Sequence, residues 1–216
     1  FYNKDLLKKA GLLGDDGLPK GLNGVDNWDA ALAKLTTDGV QGLSAATADG
    51  ATMWRIFYSM FNQQDGAKFL SDDGTKFMDG ANADKAVKAL TEMNKWVKEG
   101  WLSPQVEDAA SIALFTSGKA AFHINGVWEV TTMTDLAKDG KLFDWGAVQI
   151  PTFYDHPATW ADSHSFAIPD NGKPQDAAKH EAVMTVIGWM NKHSTFWATA
   201  GHIPAYNPAR DTEEFK

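Results

Sequence analysis

Residues 114–130, LFTSGKAAFHINGVWEV, constrain the fold of this chain more than any other stretch. Leu114 to Ser117 close a helix, and Gly118 stands where a left-handed residue is needed to stop it. Lys119 to Ile124 then alternate: Ala120, Phe122 and Ile124 point one way, Ala121 and His123 the other. That is the period of a strand. Asn125-Gly126 breaks the strand, and a second helix is predicted from about Val127. Trp128 therefore falls where a strand ends and a helix begins. In an open α/β sheet, ligands bind at that carboxyl edge. A large amphipathic ring there is either a lid on the core or a floor for a ligand.

A chain of 216 residues suffices for one large domain or two small ones. Folding at this size buries roughly 70–75% of the unfolded surface, so no staples are required. The chain has no cysteine, which excludes disulfides and thiolate metal sites. Its net charge is −8, and its lysines and arginines are scattered. The basic stripe that nucleic-acid binding needs is missing. No apolar run approaches the roughly 20 residues of a membrane span. Nine tryptophans are the unusual feature. Tryptophan suits flat contact surfaces because it is large and costs little entropy to fix. Phe1-Tyr2 reads as the middle of a strand, so the sequence is expected to be a piece of a longer protein.

The remaining elements follow from pattern and punctuation. Asn3 is predicted to cap a short helix closed by Gly11, and Asp26 to cap a helix with Trp28, Leu32 and Leu35 inward. A short strand is predicted at 40–44, then a loop to 50. A helix over 53–62 should carry Phe57 and Phe61 on one face and Trp54 and Tyr58 on another. Asn82 is predicted to cap the longest helix, striped by Ala83, Ala86, Val87, Leu90, Met93 and Val97 and stopped by Gly100. Strands are predicted at 145–150 and 163–168. A helix over 175–192 should gather Val183, Val186, Ile187 and Met190, and a helical turn should follow at 196–200.

Phe115, Ser117-Gly118-Lys119, the alternating strand and Asn125-Gly126-Val127-Trp128 resemble a segment of the bacterial extracellular solute-binding proteins of ABC sugar importers, the maltose-binding-protein type. YNKDLLKKAG from Tyr2, NQQDG from Asn62, the strand ended by Pro151 and Gly201-His202-Ile203-Pro204 are similar to further family pieces, in the family's order. Each is weak alone, and the order makes them specific. DSHSFAI from Asp162 departs from the pattern, since the family carries two glycines there. The resemblance implies an α/β, type II periplasmic-binding-protein-like fold. It makes residues 1–160 lobe II and residues 161–216 the return crossing with part of lobe I. Most of lobe I and the final helices would be absent. It implies a receptor, not an enzyme, that closes on an oligosaccharide and delivers it to the permease subunits of an ABC transporter. No cofactor, metal or nucleic acid is implied. Localisation would be periplasmic or at the cell surface, with a lipid anchor in the missing N-terminal part.

Candidate ligand contacts each carry a plainer alternative. Trp128 and Trp54 resemble family aromatics that stack on sugar rings, and each is otherwise a core residue. Trp160 and Tyr58 are aromatic candidates whose alternative is packing. His164 and His202 lie near lobe crossings, as hydroxyl donors or as structural histidines. Glu129 and Asp162 are carboxylates suited to polyol hydroxyls, although Glu129 also suits a helix start on electrostatic grounds. His123 reads as core, Arg55 as a surface ion pair, and Asn62, Gln63 and Gln64 as caps. The histidines show no metal spacing. Neither a G-x-S-x-G motif nor a phosphate loop occurs. Two other classes stay open: a same-fold receptor for a polyamine, peptide or anion, and a carbohydrate-active enzyme or lectin-like module.

Overall fold

The computed structural model describes residues 1–37, 39–170, 172, 174 and 176–216. The chain divides into two compact units. The first comprises residues 1–125 and 136–161, and the second residues 126–135 and 162–216.

The first unit is built on a four-stranded sheet in the order β2-β3-β1-β4. Strand β1 is Tyr2–Asn3, β2 is Gln41–Ser44, β3 is Ala120–His123 and β4 is Trp145–Gly146. β2 and β3 run parallel, while β1 is antiparallel to β3 and β4. All four residues of β3 are buried, so its alternation does not separate core from solvent. A parallel strand covered on both faces behaves this way. β4 is shorter than the predicted 145–150, because pairing with the two-residue β1 stops at Gly146. A Cβ on Gly146 would overlap the phenol ring of Tyr2.

Helices pack around this sheet. Helix α1 is Lys4–Lys9, and Asn3 caps it by accepting a 3.1 Å hydrogen bond from the Leu6 amide. Helix α2 is Val25–Leu35, with Trp28, Leu32 and Leu35 buried as predicted. Its N-cap is Gly24 at φ 89°, which places Asp26 inside the first turn. Helix α3, Gly50–Asn62, starts earlier than predicted because the Asp49 carboxylate accepts from the Ala51 and Thr52 amides. Helix α4, Ala81–Lys98, is the longest. Asn82 does not cap it: Gly80 does, and the Asn82 side chain accepts from the Lys68 amide. The buried face of α4 is Ala86, Ala89, Met93 and Trp96, leaving Val87 and Leu90 exposed. Helix α5, Asp108–Thr116, ends as predicted, with Gly118 at φ 74°.

Trp28 is the hub of the core. Its ring centroid lies 4.9 Å from Phe122 on β3, 5.7 Å from Phe153 and 6.2 Å from Trp96 on α4. One indole thus joins α2, α4, the sheet and the segment after β4. Such aromatic contacts add about 0.5–1.5 kcal/mol each beyond the area they bury.

Helix α6, Glu129–Lys138, leads out of the second unit. It starts two residues later than predicted, because residues 127 and 128 form a turn. The rest of the second unit carries helices α7 Ala177–Lys192, α8 Thr195–Ala198 and α9 Asn207–Arg210. Asp176 caps α7 through the Ala178 and Lys179 amides. Gln175, where that helix was predicted to begin, lies outside the described residues. No residue of α7 is buried, and Val186 and Met190, on the apolar face read from the sequence, are exposed. Residues 163–168 form no strand: their backbone finds no ladder partner among the described residues. The described residues contain no helix long and apolar enough to cross a membrane.

Candidate ligand-binding surface

Three of the candidate residues come together in the first unit. Trp54 and Tyr58 lie one turn apart on α3, with ring centroids 6.1 Å apart. Phe57 and Phe61 of the same helix face inward and are almost fully buried. Tyr58 stacks on Phe69 at 4.6 Å and 6°, and Trp160 meets Tyr58 edge-on at 4.8 Å and 88°. Trp54 reaches Phe69 at 5.4 Å and keeps 38% of its surface exposed. It also borders a cavity of about 530 Å³ with Met53, Phe57, Leu90, Met93 and Val97. The result is a cluster of mostly tilted aromatic rings with one half-open indole, Trp54, at its edge.

Two members of this assembly were not legible in the sequence. Phe69 sits in a loop, just before an antiparallel bridge between Leu70 and Phe77, and it touches Trp54, Phe57, Tyr58 and Phe61. Gln63 is the C-cap of α3, as read from the sequence, and its side chain is fully buried as well. Its amide donates to the carbonyls of Pro151 and Ala158 at 2.9 and 3.1 Å, and its oxygen accepts from the Phe153 amide at 2.6 Å. This one side chain clamps the loop leading to Trp160. The Trp160 amide then donates to Ser59 Oγ at 2.8 Å. A glutamine after a helix signals a cap; nothing local announces partners some ninety residues away. Asn62 does turn back locally, donating to the Tyr58 carbonyl, and Gln64 donates to the Lys85 carbonyl.

Trp128 lies in the second unit, in the turn that follows Asn125. It is 37% exposed, so it is not a core residue. A Cβ on Gly126 would overlap the six-membered part of its ring. The indole therefore occupies the space that a side chain at residue 126 would fill. Gly126 does not adopt a left-handed conformation, so its backbone tolerates alanine. Gly126→Ala is expected to evict the ring while leaving the circular dichroism spectrum unchanged. It should weaken ligand binding by about tenfold, or ~1.4 kcal/mol. Unchanged affinity in titration calorimetry would mean the ring does not touch ligand.

The same unit places Gly201, at φ 81°, against this turn: a Cβ there would stand 2.5 Å from the Val127 carbonyl oxygen. His202 follows it, half-buried. His202, His164 and Trp197 have mutual ring-centroid distances of 6.1 to 6.4 Å. His164 and Asp162 are exposed. Glu129 is the first residue of α6 and is buried. The remaining histidine candidate, His123, is core as predicted: it is buried in β3 and stacks on Phe115 at 5.5 Å. Burial pushes its pKa down to about 3, so it stays neutral. The described residues contain no group of three or more acidic, histidine or cysteine side chains that could hold a metal.

Each unit thus offers a partly open indole face, Trp54 in the first and Trp128 in the second. Such faces match the apolar C–H face of a pyranose ring better than an anion or a metal.

The family model for bacterial extracellular solute-binding proteins matches residues 1–192. None of the curated proteins matches the chain in sequence. Three solved structures have a similar fold. A maltose/maltodextrin-binding domain from Bdellovibrio bacteriovorus, bound to maltotriose, aligns with a TM-score of 0.68 at 18% identity over 99% of this chain and 53% of its own. A cyclic α-maltosyl-1,6-maltose binding protein from Arthrobacter globiformis gives 0.64 at 20%, covering 99% and 52%. An ABC substrate-binding protein from Listeria monocytogenes, in complex with cycloalternan, gives 0.64 at 21%, covering 98% and 52%. The chain spans about half the length of these structures.

Proposed function

The chain belongs to the bacterial extracellular solute-binding protein family, and from that premise we propose that it serves as an oligosaccharide receptor for an ABC importer. The observation that carries this reading is Trp128: a ring 37% exposed, seated against Gly126, in the turn after a parallel strand. Trp54, Tyr58 and Trp160 supply further aromatic surface. In this reading residues 1–160 belong to one lobe, and residues 161–216 are the return crossing and part of the other. Closure of two lobes couples ligand capture to docking on the permease, because each stabilises the other. Glu129, Asp162, His164 and His202 would take sugar hydroxyls. Two of the three fold relatives are named for maltose-type sugars and the third is in complex with cycloalternan, which supports that ligand class. The protein would act outside the cytoplasm, in the periplasm or at the cell surface, by binding and not by catalysis.

Thermal unfolding against a panel of oligosaccharides, polyamines, peptides and inorganic anions tests the proposal. An oligosaccharide at 100 times its dissociation constant should add about 2.7 kcal/mol of stability. Stabilisation by a polyamine, peptide or anion, with none by any sugar, would overturn the sugar reading. Release of reducing ends from a bound oligosaccharide would replace the receptor by an enzyme.

A further inference from the structure

The receptor reading leaves one cluster of buried titratable groups unused, at the seam between α2 and α4. Asp29 on α2 and Glu92 on α4 are 7% and 9% exposed. The Glu92 carboxyl lies beside Asp29, whose Oδ1 is buried without a hydrogen-bond donor among the described residues. Two carboxyls share this place with a single bound ammonium, that of Lys95, which pairs with Asp29 Oδ2. The other donor is neutral: Trp96 Nε1 donates to Glu92 Oε1 at 2.7 Å. Trp96 in turn packs edge-on against Trp28, the residue before Asp29. The indole and carboxyl contacts are thus two halves of one seam.

We propose that Asp29 and Glu92 hold one proton between them, and that its departure as pH rises through neutrality loosens the α2–α4 seam. With both carboxyls ionised, a largely buried site would carry two negative charges against one positive, and two adjacent carboxylates disfavour double ionisation. The other charged and titratable groups around the pair do not change this balance. Asp26 on α2 adds negative charge near Lys95. Lys88 on α4 is engaged over the Tyr154 ring at 4.5 Å. Tyr154 and Asp155, from the segment after β4, line the same cavity as Glu92 and Lys88. Burial, followed by the negative charges of Glu92 and Asp29, pushes the Tyr154 hydroxyl up, so it stays neutral. That cavity, about 560 Å³, gives the proton a path to solvent. Burial first, then the adjacent Asp29 carboxyl, raise the Glu92 pKa from 4.5 to about 7.

The sign follows from linkage. The folded state keeps a proton that the unfolded state has already lost between pH 4.5 and 7, so stability falls as pH rises through that window and levels off above it. The primary test needs no variant: carboxyl carbon-13 NMR of glutamate-labelled protein should show Glu92 titrating near pH 7. Urea unfolding of wild type and Glu92→Gln between pH 5 and 9 is the second arm. The wild-type unfolding constant, divided by that of the variant, should rise by up to about tenfold per pH unit below neutrality and then flatten. Asp29→Asn should return the Glu92 midpoint toward the ordinary carboxylate range. A Glu92 midpoint near 4.5 in the wild type, or a ratio independent of pH, would overturn the proposal.

Discussion

Trp128→Ala is expected to weaken oligosaccharide binding by roughly 2 kcal/mol or more, about 30-fold, the scale of a binding hot spot. Its effect on folding should be much smaller, because more than a third of the residue is already in water. Calorimetry for affinity and urea denaturation for stability, on the same variant, separate a platform from a core residue. The platform reading fails if the variant unfolds easily yet binds sugar normally. Trp54→Ala should lose less, and the double variant more than either.

Trp28→Ala should behave in the opposite way. The residue is 2% exposed and touches Phe122, Phe153 and Trp96, so truncation opens a cavity where α2, α4 and the sheet meet. The expected cost is about 3–5 kcal/mol of unfolding free energy. That is a large share of a typical domain's total stability of about 5–15 kcal/mol. Affinity of the surviving folded protein should stay near the wild-type value. A loss below about 1 kcal/mol would show that the site collapses around the gap and that Trp28 is not the hub of the core.

These two tryptophans also mark what could be read from the sequence. Trp28, Leu32 and Leu35 repeat at helical spacing, and the structure buries all three. Gly118 announces a helix end, and Trp54 and Tyr58 fall one turn apart, Trp54 exposed and Tyr58 half-buried. Such features depend on neighbours within a turn or two. Errors appear where distant partners decide. The apolar stripe of α4 runs through Ala83, Ala86, Val87, Leu90, Met93 and Val97, and of these Ala86 and Met93 are buried. In the structure Trp96 packs on Trp28 and Ala89 is buried, while Val87 and Leu90 stay exposed. Residues 163–168 have a strand-like composition, but a strand exists only if another pairs with it. Asp49 lies one residue before α3 and was hidden in a stretch of small polar residues. The candidate surface divides in the same way: its exposed rings were legible, while Phe69 and Gln63, which support it, are placed by contacts made elsewhere in the chain.

The position of β1 in the sheet has a consequence for the order in which the protein folds. Tyr2 pairs with Phe122 on one side and Gly146 on the other, so the first strand lies between two that come more than a hundred residues later. At about 5–20 residues per second, a nascent chain reaches Phe122 roughly 6–24 s after Tyr2 is made. During that wait the helices α2, α3 and α4 can pack on each other through nearby contacts, whereas the sheet cannot close. Closing a loop of that length also carries an entropic cost that only the finished sheet recovers. Folding should therefore proceed from a helical intermediate with β1 unpaired. A peptide spanning the first strand, added in excess during refolding, would compete for the vacant lane beside β3 and slow the final step.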